Sequence, residues 1–138
     1  MPRLFALAVL LGVCASAAFG QGPASPFEGT WIAHFEKSGK LISKKRIELR
    51  GNGGWFYDVQ KHYAGDSTGV CRNLRAPLEE VHFTETTVSF VVARGKTIAG
   101  CSNLEFTLEK HEDRLVGTMT GMDEAGDVHA VRAVTLYR

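Results

Sequence analysis

The stretch SGKLISKKRIELRGNGGWFY, residues 38–57, decides the fold class. Ser38-Gly39 at one end and Gly51-Asn52-Gly53-Gly54 near the other supply residues that accept positive φ, as tight hairpin turns require. Between them polar and apolar side chains alternate. Lys44, Arg46, Glu48 and Arg50 fall on one side, and Leu41, Ile47 and Leu49 on the other. A period of two over this length describes a strand with one buried face. Most of the basic side chains therefore occupy the wet face of a sheet, where solvated cations also discourage edge-to-edge association. Lys44, Arg46 and Arg50 form a surface basic patch whose charge suits an acidic partner, a membrane surface or a protein. Lys45 is the exception, because its phase is inward with Ile47 and Leu49.

The same alternation runs outward in both directions from this stretch. Strand candidates are 30–37, 41–50, 55–63, 78–85, 87–93, 103–110, 114–121 and 128–137. Glu112-Asp113 and the acidic run 123–127 close two later hairpins with turn-prone residues. Only the connections 64–77 and 94–102 are long, and each carries one cysteine. Short strands joined mainly by hairpins give an all-β fold, a single antiparallel up-and-down barrel of about eight strands. Closure into a barrel removes exposed edges; an open β-sandwich is the alternative.

Phase assigns the interior. Trp31, Ala33 and Phe35 share one side of the first strand. The inner set continues with Leu41, Ile47, Leu49, Trp55, Tyr57, Val59, Val81, Phe83, Val88, Phe90, Val92, Leu104, Phe106, Leu108, Leu115 and Met119. On the last strand Val128, Val134 and Leu136 are placed inward because they carry more aliphatic bulk than the competing phase, and Arg132 then points inward too. A charge inside a barrel is costly unless it is paired or near the mouth. Lys45, Tyr57 and Arg132 are accordingly the candidate ligand-binding residues, two cations and a hydroxyl able to meet a ligand carboxylate. An eight-stranded barrel is just wide enough to be filled by its own side chains, so binding is expected at the open end.

The N-terminus fixes the expected compartment. Residues 1–20 carry Arg3, an apolar run from Leu4 to Ala18 and small residues, the pattern of a secretory signal peptide. The run is shorter than the roughly 20 residues a bilayer span needs. Cleavage fits after Ala17 or Gly20, and residues 21–26 read as a flexible linker to a domain at 27–138. The chain is then secreted or periplasmic, with no transmembrane segment after signal removal. The alternative is lipid anchoring through Cys14 in the run Leu11-Gly12-Val13-Cys14. Loss of residues 1–20 leaves 15 basic against 15 acidic side chains, which argues against nucleic-acid binding. It also leaves Cys71 and Cys101, most simply a disulfide in an exported chain.

Phe27-Glu28-Gly29-Thr30-Trp31, FEGTW, resembles the opening of lipocalin-type and fatty-acid-binding barrels, in which a Gly-x-Trp begins the first strand. The resemblance implies a calycin-like (lipocalin/avidin-like) barrel whose Trp31 closes one end, packed beneath an arginine that Arg132 or Arg138 would supply. The layout is also similar to uncharacterised secreted two-cysteine β-proteins of Gram-negative bacteria, on the strength of Cys71, Cys101, RLVGT at 114–118 and Leu136-Tyr137-Arg138. The Thr-Asp-Tyr motif of classical lipocalins and the closing Arg-x-Tyr of fatty-acid-binding proteins are absent, so no carrier residues transfer from those families.

Catalytic and metal patterns are missing from the sequence. His34, His62, His82, His111 and His129 show no His-x-His or His-Glu-x-x-His spacing. There is no nucleophile elbow, phosphate-cradling loop or calcium loop. Adjacent Glu79 and Glu80 face opposite ways on a strand. The expectation is a non-enzymatic binding module without cofactor or metal, taking a small apolar or amphiphilic ligand at the barrel mouth. The alternative is a protein-interaction module, an inhibitor or envelope-complex component, using the basic hairpin and the disulfide-tied loops.

Overall fold

Eight strands and one helical turn follow one another in the computed structural model: β1 (Gly29–Lys37), β2 (Lys40–Arg50), β3 (Gly53–Tyr57), β4 (Arg75–Phe83), β5 (Thr87–Val92), α1 (Arg94–Thr97), β6 (Asn103–His111), β7 (Arg114–Met122) and β8 (Val128–Tyr137). The structure describes residues 25–58, 71, 74–123 and 125–138. The segment 1–20 with Cys14, residues 21–24, Val59, His62 and most of the 64–77 connection lie outside the described residues. Each strand pairs antiparallel with the next, and β8 returns to β1 to close the barrel. The sandwich alternative is thereby excluded.

The turns form where the sequence permits them. Ser38 and Gly39 both adopt positive φ between the paired residues Lys37 and Lys40, the two-residue turn whose twist matches its strands. At the other end Gly51 and Asn52 join Arg50 to its partner Gly53. Gly53 and Gly54 therefore belong to β3 rather than to the turn. Gly54 cannot be replaced, because φ is +144° and a Cβ there would lie 1.8 Å from the Glu48 carbonyl oxygen.

The interior is packed with rings. Phe56, Phe90 and Phe106 are fully buried, Phe90 stacks on Phe106 at 4.9 Å, and Phe35 meets Phe106 edge-on at 6.3 Å. Burying each such side chain stabilises the fold by about 1.5–3 kcal/mol. Trp31, Ala33, Ile47, Leu49, Val88, Val92, Leu104, Leu108, Leu115, Met119, Val134 and Leu136 are buried around them, on the expected phase.

Two assignments of phase need correction, and one strand starts earlier than expected. On β3 the order is reversed: Phe56 is inside and Trp55 and Tyr57 are outside, because register pairs Phe56 with inward Ile47 and Tyr57 with outward Arg46. On β4 the strand begins at Arg75 and carries a bulge between Glu79 and His82, with Glu80 at φ 51°. The extra residue lets Ala76 and Leu78 face inward before it and Val81 after it. On β8, Val128 is 60% exposed instead of inside, since register slips between Gly121 and Met122, where Val128 pairs. Ser25 and Pro26, read as flexible linker, are tied down: Ser25 accepts from the Glu28 N–H, and the Pro26 carbonyl accepts from Arg138.

Candidate functional site

The two ends of the barrel differ. Odd-numbered strands run from the end bearing the 51–52 turn toward the end bearing α1, so Trp31, early in β1, lies near the first. Its indole Nε1 donates to the Phe27 carbonyl at 2.8 Å, and Phe27, wholly buried, stacks on Phe83 at 5.8 Å. The Arg138 guanidinium lies 4.5 Å from the Trp31 ring centre and donates to the carbonyls of Pro26 and Glu28 at 2.8 and 3.2 Å. Arg138, not Arg132, occupies the position beside this tryptophan.

Toward the α1 end the interior turns polar. Alternation carries β2 from Leu49 through Ile47 to Lys45, one layer further along the barrel. The Lys45 Nζ donates to the Asp58 carboxylate, and the two side chains are only 11% and 6% exposed. Asp58 is held where β3 ends, its backbone N–H bonded to the Leu74 carbonyl at 3.0 Å. Arg94, at the start of α1, donates through Nε to the Ser102 carbonyl at 2.7 Å. Burial pushes the Arg94 guanidinium below its ordinary pKa, and the charge of Asp58 pulls it back up; it stays a cation. Ser43 is buried a further step along β2.

A disulfide fastens this end. Cys71 and Cys101 are bonded, with Cα atoms 5.7 Å apart and a sequence separation of 30. Beside it Gly100, Cys101, Ser102, Asp123 and Ala125 line an open cleft of about 380 Å³. The Asp123 carboxylate is occupied by the backbone N–H groups of Ala125 and Asp127, both at 2.9 Å, so it shapes the 123–127 turn.

The wall has a gap at the same end. β7 and β8 are paired from Arg114 to Met122, yet β8 meets β1 only over Val134–Tyr137. Among the described residues, the first half of β8 has no partner on its β1 side. Val128 and Val131 in that half are 60% and 64% exposed. Arg132 shares the phase of Val134 and Leu136 and pairs with Met119, but it lies in this half and is exposed.

The three candidate ligand residues are thus separated. Lys45 is inside and ion-paired, Arg132 is at the exposed lip, and Tyr57 is on the outer wall with the Arg46 guanidinium 3.9 Å from its ring centre. Asp58, itself within the field of Arg94, takes the place beside Lys45 that Tyr57 was expected to fill. Asp58 was detectable in principle: a two-residue turn at 51–52 pairs Arg46 with Tyr57 and so sets the next residue, 58, across from Lys45.

Outside, Arg46, Tyr57 and Arg75 form one cross-strand row, and Arg75 also covers the Trp55 ring at 3.5 Å. Lys44 is half-buried and Arg50 exposed.

No protein-family model matches this chain, and no curated protein or solved structure shows significant similarity to it.

Proposed function

We propose that this chain is a secreted or periplasmic, calycin-like binding module, not an enzyme, that holds a small amphiphilic molecule at the α1 end of its barrel. One observation carries the reading: the Lys45–Asp58 ion pair sits inside a barrel whose core is made of apolar side chains. Taking both charges out of water costs several kcal/mol each, and an apolar pair of similar volume would stabilise as well or better. A polar anchor for a ligand head group gives the pair a purpose that stability does not. Because Phe56, Phe90 and Phe106 fill the space below, the apolar part of the ligand rests at the mouth, against the gap where Val128 and Val131 are exposed.

Trp31 beneath Arg138 supports the calycin-like part of the reading, and the Cys71–Cys101 bridge supports an oxidising compartment. The test is titration with a dansylated undecanoic acid. Binding raises and blue-shifts the dansyl emission, and Lys45→Met weakens it at least tenfold for the acid while changing binding of the matching methyl ester little. Absence of any spectral change with the unmodified protein removes the proposal.

A further inference from the structure

We propose that the outer wall formed by β2, β3 and β4 docks on an anionic phospholipid membrane surface. The wall is built around two guanidiniums held flat against aromatic rings: Arg46 over Tyr57 at 3.9 Å, and Arg75 over Trp55 at 3.5 Å and within 5.6 Å of Tyr57. Stacking uses the faces of these groups and leaves their N–H edges to donate, with little rotamer freedom left to lose on binding. Arg46 Nε is buried, 3.7 Å from the nearest Glu48 carboxylate oxygen, but the side chain as a whole is 41% exposed, so its Nη groups are the edge that faces outward. Lys44 shares the face of Arg46, and Lys37 and Lys40 extend the positive charge to the tip of the β1–β2 hairpin. The opposite wall has no such excess: Glu105 and Glu109 project from β6 among the threonines of β6 and β7, and Lys110 and Arg114 balance them. Cations outnumber acids on the β2–β4 wall, where Lys40, Lys44, Arg46, Arg50 and Arg75 stand against Glu48, Glu79 and Glu80, which turns that wall toward an anionic surface.

The geometry favours a lipid surface over an acidic peptide. Over Arg46–Leu49 and Trp55–Tyr57, β2 and β3 are paired on both sides, so no strand can be added there. The cations are spread across strands about 4.8 Å apart on the convex outside of a closed barrel. Mobile lipid head groups gather beneath such a wall, whereas an extended peptide needs an edge or a groove. Each Lys or Arg near an anionic leaflet strengthens attachment about fivefold, and salt weakens it.

The experiment is co-sedimentation of protein from the full expressed chain with vesicles of phosphatidylcholine alone or with 30% phosphatidylglycerol (a composition chosen for the assay, on the order of physiological anionic content). Retention on the anionic vesicles at low salt, its loss at high salt, and a drop of about 25-fold in Lys40→Glu/Lys44→Glu are expected. Neither of those lysines takes part in a ring stack, so the double variant keeps its fold, which a circular dichroism spectrum checks. Arg75→Gln should lose about fivefold or more. No retention of the unmodified protein, equal retention on neutral vesicles, or an unchanged Lys40→Glu/Lys44→Glu variant would each overturn the proposal.

Discussion

Arg138 caps Trp31: its guanidinium lies 4.5 Å from the ring centre while its Nη2 donates to the carbonyls of Pro26 and Glu28. One side chain thereby fastens the segment before β1 to the segment after β8. The Arg138→Ala substitution removes a cation–π contact and charged hydrogen bonds at a partly exposed position, and should cost about 1–2 kcal/mol. Trp31→Ala empties the end of the core and should cost about 3–5 kcal/mol. Urea unfolding followed by tryptophan fluorescence measures both, with Trp55 alone reporting in Trp31→Ala. If Arg138→Ala leaves the midpoint unmoved, the cap is ornamental.

The Lys45–Asp58 pair separates a stabilising role from a binding role. Lys45→Met alone leaves the Asp58 carboxylate buried, though still within the field of Arg94, so a loss of about 3 kcal/mol is expected. The Asp58→Leu substitution strands Lys45 in the same way. The double variant Lys45→Met/Asp58→Leu should recover most of the loss, as replacement of buried ion pairs by apolar groups commonly does. Chemical denaturation of the four proteins of this cycle gives the coupling energy. Additive losses would mean that the two charges do not depend on each other.

The fold was legible because the period-two pattern and the turn residues agree along most of the chain; β1, β2 and β5–β7 bury the residues that alternation chose. β3 was misread for a physical reason. Trp55, Tyr57 and Val59 put three large side chains on one phase against Phe56 on the other, but register with β2 decides and gives the inside to Phe56. The rings of Trp55 and Tyr57 are covered from outside by Arg46 and Arg75 instead of by the core. On β4 the inward Val81 and Phe83 were legible, but the bulge at Glu80 that also turns Ala76 and Leu78 inward was not, because simple alternation has no means to express it. Much of the candidate site depended on those two strands. Lys45 was legible as an inward charge, whereas its partner Asp58 required the β2–β3 register and Arg94 required the path of the connection after β5.

His34 should make stability fall in mild acid. Burial and the charge of Lys44 depress its pKa below the ordinary 6.5, outweighing the opposite pull of Glu36. The folded chain then binds fewer protons at this site than the unfolded chain, so stability rises with pH. The contribution is present above pH 6.5 and is lost as the pH drops through the depressed folded value. Because the imidazole is largely solvated, tilted against the Tyr137 ring at 4.7 Å, the effect is small. His34→Gln should flatten the slope of unfolding free energy against pH below 6.5; an unaltered slope would assign the acid sensitivity to other groups.

Reduction of the Cys71–Cys101 bridge should destabilise the whole barrel rather than one loop. The bond joins the segment entering β4 to the segment entering β6, two strands separated in the sheet by β5. It therefore crosses the α1 end instead of closing a neighbouring hairpin. For a closed loop of about 30 residues the chain-entropy model assigns roughly 3–4 kcal/mol, mainly through restriction of the unfolded chain. Cys71→Ser/Cys101→Ser should accordingly lower the denaturant midpoint while raising the slope of the transition, since a freer unfolded chain exposes more surface. Cys101 is almost wholly buried and packed with the core, so the hydroxyl introduced by Cys101→Ser adds a cost of its own. Cys101→Ala in the same double variant separates that cost from the entropy of the bridge. A midpoint shift seen with serine and absent with alanine would show that polarity at position 101, and not the cross-link, carries the effect.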